Sequence, residues 1–163
     1  MARRKEASAG TPATTALTRA GVDFAVHPYE HDPAAPSYGL EAAEALGVPA
    51  EQVFKTLLIE GERGLAVGVV PVSRTLDLKA VAAALGVKKV AMAQPAAAER
   101  TTGYVVGGIS PVGQKKALPT VVDESALGFE RVYVSGGRRG LDLSLSPTDL
   151  VRVTGATCAS IAR

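Results

Sequence analysis

The chain has 163 residues, a length typical of one domain with a sizeable core. Its net charge of +2 and hydrophobic content of 47% fit a globular protein, and no apolar run is long enough to span a membrane. The single cysteine excludes an internal disulfide and favours a reducing compartment, so we expect a cytoplasmic protein with no membrane partner.

Short strands and short helices alternate along the chain. Residues 1–10, which are basic and polar, predict a flexible tail before a single domain over 11–163. Capping residues and glycine stops predict helices at 12–20, 38–46, 78–85 and from 147, with a helical turn at 95–100. Apolar and β-branched runs predict strands at 23–29, 53–59, 65–71, 87–92, 103–106, 120–122, 131–135, 141–145 and 157–161. The pattern indicates an α/β or α+β fold, and periodicity alone leaves open whether the sheet is closed.

The most distinctive motif is GGISPVGQKK at 107–116. Gly107 and Gly108 allow positive φ and the close approach of another molecule to the backbone. Pro111 fixes its own φ and favours an extended Ser110. We predict a rigid open loop whose N–H groups can meet an anion, although a plain turn would have the same composition.

Lys55 lies within the otherwise apolar strand VFKTLLI at 53–59. Strand alternation places it on one face with Val53 and Leu57, where a solvated lysine is less natural than one in a pocket. Such a cation could bind phosphate or hydroxyl groups and stabilise negative charge. A place on an exposed face of the sheet is the alternative.

Two histidines are close together at His27 and His31, and Asp32 follows them. Pro28 excludes a regular helix, and no further strong ligand occurs at a familiar spacing, so we expect local hydrogen bonds and no metal. Rossmann and Walker fingerprints are lacking in the sequence, so we expect no cofactor.

A second glycine-rich loop, SGGRRGLD, occupies 135–142 between two predicted strands and is compatible with a bulged hairpin. It contains the basic pair Arg138 and Arg139, and the first loop ends in Lys115 and Lys116. These pairs could follow an RNA phosphate backbone, although paired basic residues are also common on solvated surfaces.

The sequence offers no convincing nucleophile. Ser110 is not part of a Gly-x-Ser-x-Gly elbow, and both histidines fall in one early segment. Cys158 has no histidine near it in sequence, and its default interpretation is a small buried hydrophobic residue.

Three motifs in the same order resemble the YbaK family of freestanding aminoacyl-tRNA editing proteins: FKTLL at 54–58, GYVVGGISPVGQKK at 103–116 and YVSGG at 133–137. The likeness runs from about His27 to the C-terminus. HPYEHD at 27–32, together with GGISPVGQKK, resembles the branch of cysteinyl-tRNA deacylases. The family is related to the editing domain of bacterial prolyl-tRNA synthetases. The resemblance implies a mixed, barrel-like β-sheet flanked by short helices.

The resemblance also implies site residues. Lys55 would be a functional residue that holds the substrate end of the tRNA. Tyr29 and Tyr38 would lie near the substrate, although a packing role for Tyr38 is nearly as natural. Ser135 and Asp142 would line the pocket and could bond the aminoacyl amine or hydroxyl groups.

The activity that the resemblance implies is removal of cysteine from misacylated cysteinyl-tRNA(Pro), with cysteinyl-tRNA(Cys) as a side substrate. The thiol of the substrate would attack its own ester, with Gly107, Gly108, Ser110 and Pro111 facing the oxyanion. Association with prolyl-tRNA synthetase is implied, and we expect no binding to DNA. Two alternatives stay open: a deacylase for alanine or another small amino acid, and an inactive module that binds tRNA or a synthetase.

Overall fold

The computed structural model describes residues 10–163, in which eight strands and five α-helices are present. The helices are α1 (Pro12–Arg19), α2 (Tyr38–Leu46), α3 (Leu78–Leu85), α4 (Pro95–Thr102) and α5 (Pro147–Thr154). The strands are β1 (Phe24–Pro28), β2 (Phe54–Gly61), β3 (Gly64–Pro71), β4 (Val90–Met92), β5 (Thr120–Asp123), β6 (Val132–Arg138), β7 (Leu141–Leu145) and β8 (Thr157–Ala159). The predicted tail lies outside the described residues, apart from Gly10.

The strands form two sheets. One has the order β1-β7-β6 and is antiparallel, and the other has the order β4-β2-β3-β5-β8 with parallel pairing at β3–β5 and β5–β8. A single bridge between Val53 and Tyr133 connects them. The predicted mixed α/β fold with short flanking helices is confirmed, and its strands are divided between these two bridged sheets.

The main core contains residues from both sheets. Phe54 and Leu58 of β2 belong to the same buried cluster as Val134 of β6 and Leu143 of β7. Leu17 of α1 completes this cluster from the N-terminal side. Burying such large aliphatic side chains contributes about 1.5–3 kcal/mol each, so the core fixes the end of β2 that carries Lys55.

Side-chain caps set the helix starts as predicted. Thr11 Oγ accepts the N–H of Thr14, and Ser37 Oγ accepts the N–H of Leu40. The latter bond fixes the entry into α2 directly before Tyr38, which is a predicted site residue. Capping bonds of this kind contribute about 1 kcal/mol each.

The prediction of a buried strand at 103–106 is wrong. Gly103 ends α4 with a φ of 81°, and the ring of Tyr104 is buried at once in the main core. Val105 is about half exposed, and its carbonyl accepts the N–H of Gly108 at 2.8 Å in a turn. The N–H groups of Tyr104 and Val106 donate to the side chains of Thr102 and Glu99, and no ladder is formed.

Smaller differences concern the ends of elements. β4 is shorter than the predicted strand 87–92, α4 extends the predicted turn 95–100 by two residues, and β8 ends before 161. None of the helices in residues 10–163 is long and apolar enough to cross a membrane.

Candidate active site

A cavity of about 390 Å³ lies between the start of β2, the start of α2 and the loop after α4. Its volume falls within the range of small-molecule sites. Six predicted site residues line it: Tyr29, Tyr38, Lys55, Gly107, Ser135 and Asp142. Residues that are far apart in sequence are therefore brought together at one site.

Strand pairing positions Asp142 and Ser135, two polar residues of the cavity wall. Asp142 of β7 pairs with Ser135 of β6 on one side and with His27 of β1 on the other. The pairing of β6 with β7 shifts register between Ser135 and Arg138, so the hairpin bulge compatible with the sequence is present. Tyr29 follows β1 and donates its N–H to the carbonyl of Gly140 at 2.9 Å.

Lys55 is a partly buried cation without an ion pair among the described residues. Burial lowers the pKa of its ammonium group. An unpaired charge in such surroundings interacts more strongly with an incoming anion than the same charge in water. The pocket alternative for Lys55 is supported over a position on a solvated face.

Asp142 is 5% exposed, and its carboxylate makes no hydrogen bond within the described chain. Burial raises the pKa of this carboxyl to about 7. Burial, followed by the charge of Asp142, raises the pKa of Tyr29 to about 12, so that phenol keeps its proton at neutral pH. The Asp142 side chain in the cavity wall therefore changes its charge near pH 7.

Thr56 was missed by the sequence analysis. It lines the cavity beside Lys55, and its Oγ1 is buried without a hydrogen-bond partner among the described residues. A buried hydroxyl without a partner costs free energy, so this atom is suited to bonding a ligand. The only signal in the sequence is a polar residue within an apolar strand.

Gly107 forms the part of the loop that reaches the cavity. Its φ is +89°, and a methyl group there would lie 2.7–2.8 Å from ring atoms of Tyr38. In the part of the chain that the structure describes, the Gly107 N–H donates no hydrogen bond. This glycine combines close packing with an available backbone donor.

Gly108, Ser110 and Pro111, predicted with Gly107 to face the ester, do not line the cavity. A methyl group on Gly108 would meet the backbone of Arg138 at 2.7 Å. Ser110 is fully buried, and its Oγ accepts the N–H of Val112 at 3.2 Å. These three residues pack behind the cavity wall, to which the loop contributes Val106, Gly107 and Ile109.

Both histidines are hydrogen-bonded, but only His31 bonds within its own part of the chain, because the partner of His27 lies on β7. His27 Nε2 lies 2.8 Å from Ser144 Oγ, and His31 Nδ1 lies 2.8 Å from Glu41 Oε1. Burial, followed by the charge of Arg131, lowers the pKa of His27. Among residues 10–163 no three His, Cys, Asp or Glu side chains are grouped as metal ligands.

The four predicted RNA-binding residues, Lys115, Lys116, Arg138 and Arg139, are exposed. Lys116 also lines a second cavity of about 250 Å³ together with Arg63. Arg139 donates from Nε to the carbonyl of Val106 at 2.9 Å. The basic pairs thus differ, since the Arg139 guanidinium is already engaged within the protein.

Cys158 lies on β8, packs against the main core and does not line the cavity. Burial, then the charges of Asp123 and Glu124, raise the pKa of its thiol. The thiolate, which is the nucleophilic form, is therefore disfavoured. This agrees with the interpretation of Cys158 as a small hydrophobic residue.

Comparison with known proteins places this geometry in a family. A family model described as "Aminoacyl-tRNA editing domain" matches residues 32–153. The protein named "Putative Cys-tRNA(Pro)/Cys-tRNA(Cys) deacylase EbsC" from Enterococcus faecalis is 42% identical over 73% of both chains. Proline–tRNA ligase from Thermosipho africanus is 29% identical over 60% of this chain, which spans only 17% of the ligase.

A solved structure supports the same assignment. The crystal structure of "a putative trans-editing enzyme for prolyl tRNA synthetase" has a TM-score of 0.83 and 30% identity, with 93% of this chain and 95% of that chain covered. This chain belongs to the aminoacyl-tRNA editing domain family.

Proposed function

We propose that this chain is a trans-editing deacylase that removes cysteine from misacylated cysteinyl-tRNA(Pro), with cysteinyl-tRNA(Cys) as a side substrate. One observation carries the proposal. The cavity combines the partly buried cation Lys55 with the unbonded N–H of Gly107, yet its described lining includes no histidine and no cysteine. Such a site can bind and polarise an ester but offers no pair of nucleophile and base.

The hydroxyl groups in the lining do not change this conclusion. Ser37 Oγ accepts the N–H of Leu40, and Ser135 Oγ accepts the N–H of Gly137 at 3.2 Å. Neither hydroxyl has a histidine partner, so neither is activated as a nucleophile. The reactive group is therefore assigned to the substrate.

In the proposed reaction the cysteinyl sulfur attacks the carbonyl carbon of its own ester. A C–S bond forms, the bond from the carbonyl carbon to the ribose oxygen breaks, and the thiol proton ends on the ribose hydroxyl. The products are a cyclic thiolactone and uncharged tRNA, and water then opens the thiolactone to cysteine. No oxidant or metal is needed for this balance.

The chain supplies binding and orientation. Lys55 holds the tRNA end through phosphate or hydroxyl groups, and the Gly107 N–H faces the developing oxyanion. Asp142 and Ser135 bond the aminoacyl amine or hydroxyl groups, and Tyr29 and Tyr38 pack beside the substrate. The unpartnered Thr56 hydroxyl is a further donor or acceptor in the same wall.

We assign the RNA backbone to the exposed basic residues Lys115, Lys116 and Arg138. Binding of this kind carries little sequence information, so the chain alone would select one tRNA poorly. A partner synthetase, which the family relation suggests is prolyl-tRNA synthetase, would supply that selectivity. The double variant Lys115→Glu/Lys116→Glu should weaken tRNA binding and flatten its dependence on salt concentration.

The test is deacylation of a panel of purified aminoacyl-tRNAs by the chain. Cysteinyl-tRNA should be cleaved fastest, and Lys55→Met should lose the activity. Lys79 is an exposed lysine on α3, so Lys79→Met is the matched control and should keep full activity. Faster cleavage of alanyl-tRNA would support the alternative specificity, and binding without cleavage of any substrate would support the inactive module.

A further inference from the structure

Val106 is held by two charged side chains, one bonded to the peptide before it and one to the peptide after it. The N–H of Val106 donates to Glu99 Oε2 at 2.8 Å. The carbonyl of Val106 accepts from Arg139 Nε at 2.9 Å. Glu99 comes from α4 and Arg139 from the turn between β6 and β7, so two separate elements meet at one residue of the loop.

The bond from Arg139 to the Val106 carbonyl also determines the direction of the Gly107 N–H. The carbonyl of Val106 and the N–H of Gly107 belong to one planar trans peptide, in which they point in opposite directions. Arg139 holds the carbonyl and thereby fixes the direction of the N–H. That N–H has no acceptor within the described residues, and Gly107 lies in the cavity wall.

The guanidinium of Arg139 is itself held in place. It lies over the ring of Tyr38, with 5.1 Å from its central carbon to the ring centroid. The same ring lies 5.8 Å from His31 between ring centroids and packs closely against Gly107. A planar guanidinium can stack and donate at the same time, which a lysine ammonium does less well.

We infer that Glu99 and Arg139 are positioning residues that keep the Gly107 N–H directed to the carbonyl oxygen of the ester. Glycine tolerates both signs of φ, so an unclamped peptide at this position can rotate. Rotation would present the Val106 carbonyl oxygen in place of the N–H and would repel an oxyanion. The inference rests on the proposed function and gives Arg139 a role different from the RNA contact that the sequence predicts.

Steady-state kinetics on two substrates separates these roles. Arg139→Lys keeps the charge but loses the planar group, and Glu99→Ala removes the acceptor. Both should lower kcat about tenfold, with KM within about twofold, since loss of one oxyanion donor costs about 10²–10³ in kcat and positioning costs less. The loss should be the same on cysteinyl-tRNA and on a short cysteinylated CCA oligonucleotide.

Conservative and double variants sharpen the test. Glu99→Gln should restore most of kcat, because its amide oxygen can still accept from Val106. The double variant Glu99→Ala/Arg139→Lys should be little worse than either single variant, because both side chains hold the same residue, Val106. Wild-type kcat in Arg139→Lys, or a loss confined to the full tRNA, would overturn the inference and support an RNA contact.

Amide hydrogen exchange tests the clamp independently of activity. In Arg139→Lys the Val106 amide should exchange at least about tenfold faster than in wild type, although its acceptor Glu99 is unchanged. Exchange at the wild-type rate would overturn the clamp. If the wild-type chain cleaves no aminoacyl-tRNA, the proposed function fails, while the exchange measurement still decides whether the clamp exists. Thermal unfolding of each variant verifies that it is folded.

Discussion

The buried carboxyl of Asp142 should cost the protein stability at neutral and alkaline pH. It pairs across the sheet with His27 and Ser135 and is 5% exposed, yet no donor bonds its oxygens within the described chain. Burial raises its pKa from an ordinary value of 3.8 to about 7. We predict that Asp142→Asn, which resembles the protonated acid, becomes more stable than wild type as pH rises.

The sign follows from proton linkage. When the pKa of a carboxyl is higher in the folded state than in the unfolded state, its contribution to stability is fully present below the pKa of the unfolded state. This contribution is lost as pH rises to the pKa of the folded state. Relative to the protonated form, linkage gives a cost below about 1 kcal/mol at pH 4, about 2 kcal/mol at pH 5 and roughly 4 kcal/mol at pH 8. The last value is an upper estimate, because the side chain or water can relax around the charge.

Urea unfolding from pH 4 to pH 8 measures the difference directly. The free energy of unfolding of Asp142→Asn minus that of wild type should increase steadily up to about pH 7 and then level off. Asp149 lies on α5 with its carboxylate near Arg152, so Asp149→Asn is the matched control for replacing a carboxylate by an amide. A difference for Asp142→Asn that is constant with pH would refute the reasoning, because the carboxyl would then titrate normally in the folded state.

Three further predictions concern other positions. Lys55→Met should lower turnover at least 100-fold and leave the free energy of unfolding within about 1 kcal/mol of wild type, since burial already disfavours this charge. A loss of stability comparable to the loss of turnover would contradict a functional role. Gly107→Ala should cost about 1–3 kcal/mol in urea unfolding, from positive φ and contact with Tyr38, whereas Gly128→Ala, with open space around it, should not. Burial acts to raise the pKa of Asp123, but hydrogen bonds from the Ser125 hydroxyl and from three backbone N–H groups lower this pKa overall. Asp123→Asn should therefore lower the free energy of unfolding by about 1–3 kcal/mol at pH 7 and by progressively less below about pH 4. A cost at pH 2 equal to that at pH 7 would count against this.

Local signals in the sequence predicted much of the fold. The cap at Ser37 and the hairpin of β2 and β3 depend on a few neighbouring residues, and both are present. The apolar run at 103–106 is not a strand, because burial of Tyr104 and the glycine that ends α4 outweigh its strand propensity. Propensity is a weak guide where a short segment crosses the core without a neighbouring strand.

The site was partly predictable for a similar reason. Lys55 was found because a cation in an apolar strand is unusual, and the resemblance added Asp142. The link between Arg139 and Val106 joins residues 33 positions apart, so no local pattern signals it. Ser110 was predicted to face the ester, but it is fully buried and does not line the cavity, and no local pattern signals this burial.

The central claim is that the sulfur of the substrate attacks its own ester, and one comparison tests it most directly. Cysteinyl-tRNA and S-methylcysteinyl-tRNA differ by a methyl group that removes the nucleophilic thiol. We predict that the wild-type chain cleaves cysteinyl-tRNA rapidly. It should cleave S-methylcysteinyl-tRNA no faster than the Lys55→Met variant does. Cleavage of both substrates at similar rates would contradict the account and would require a water molecule as the attacking group.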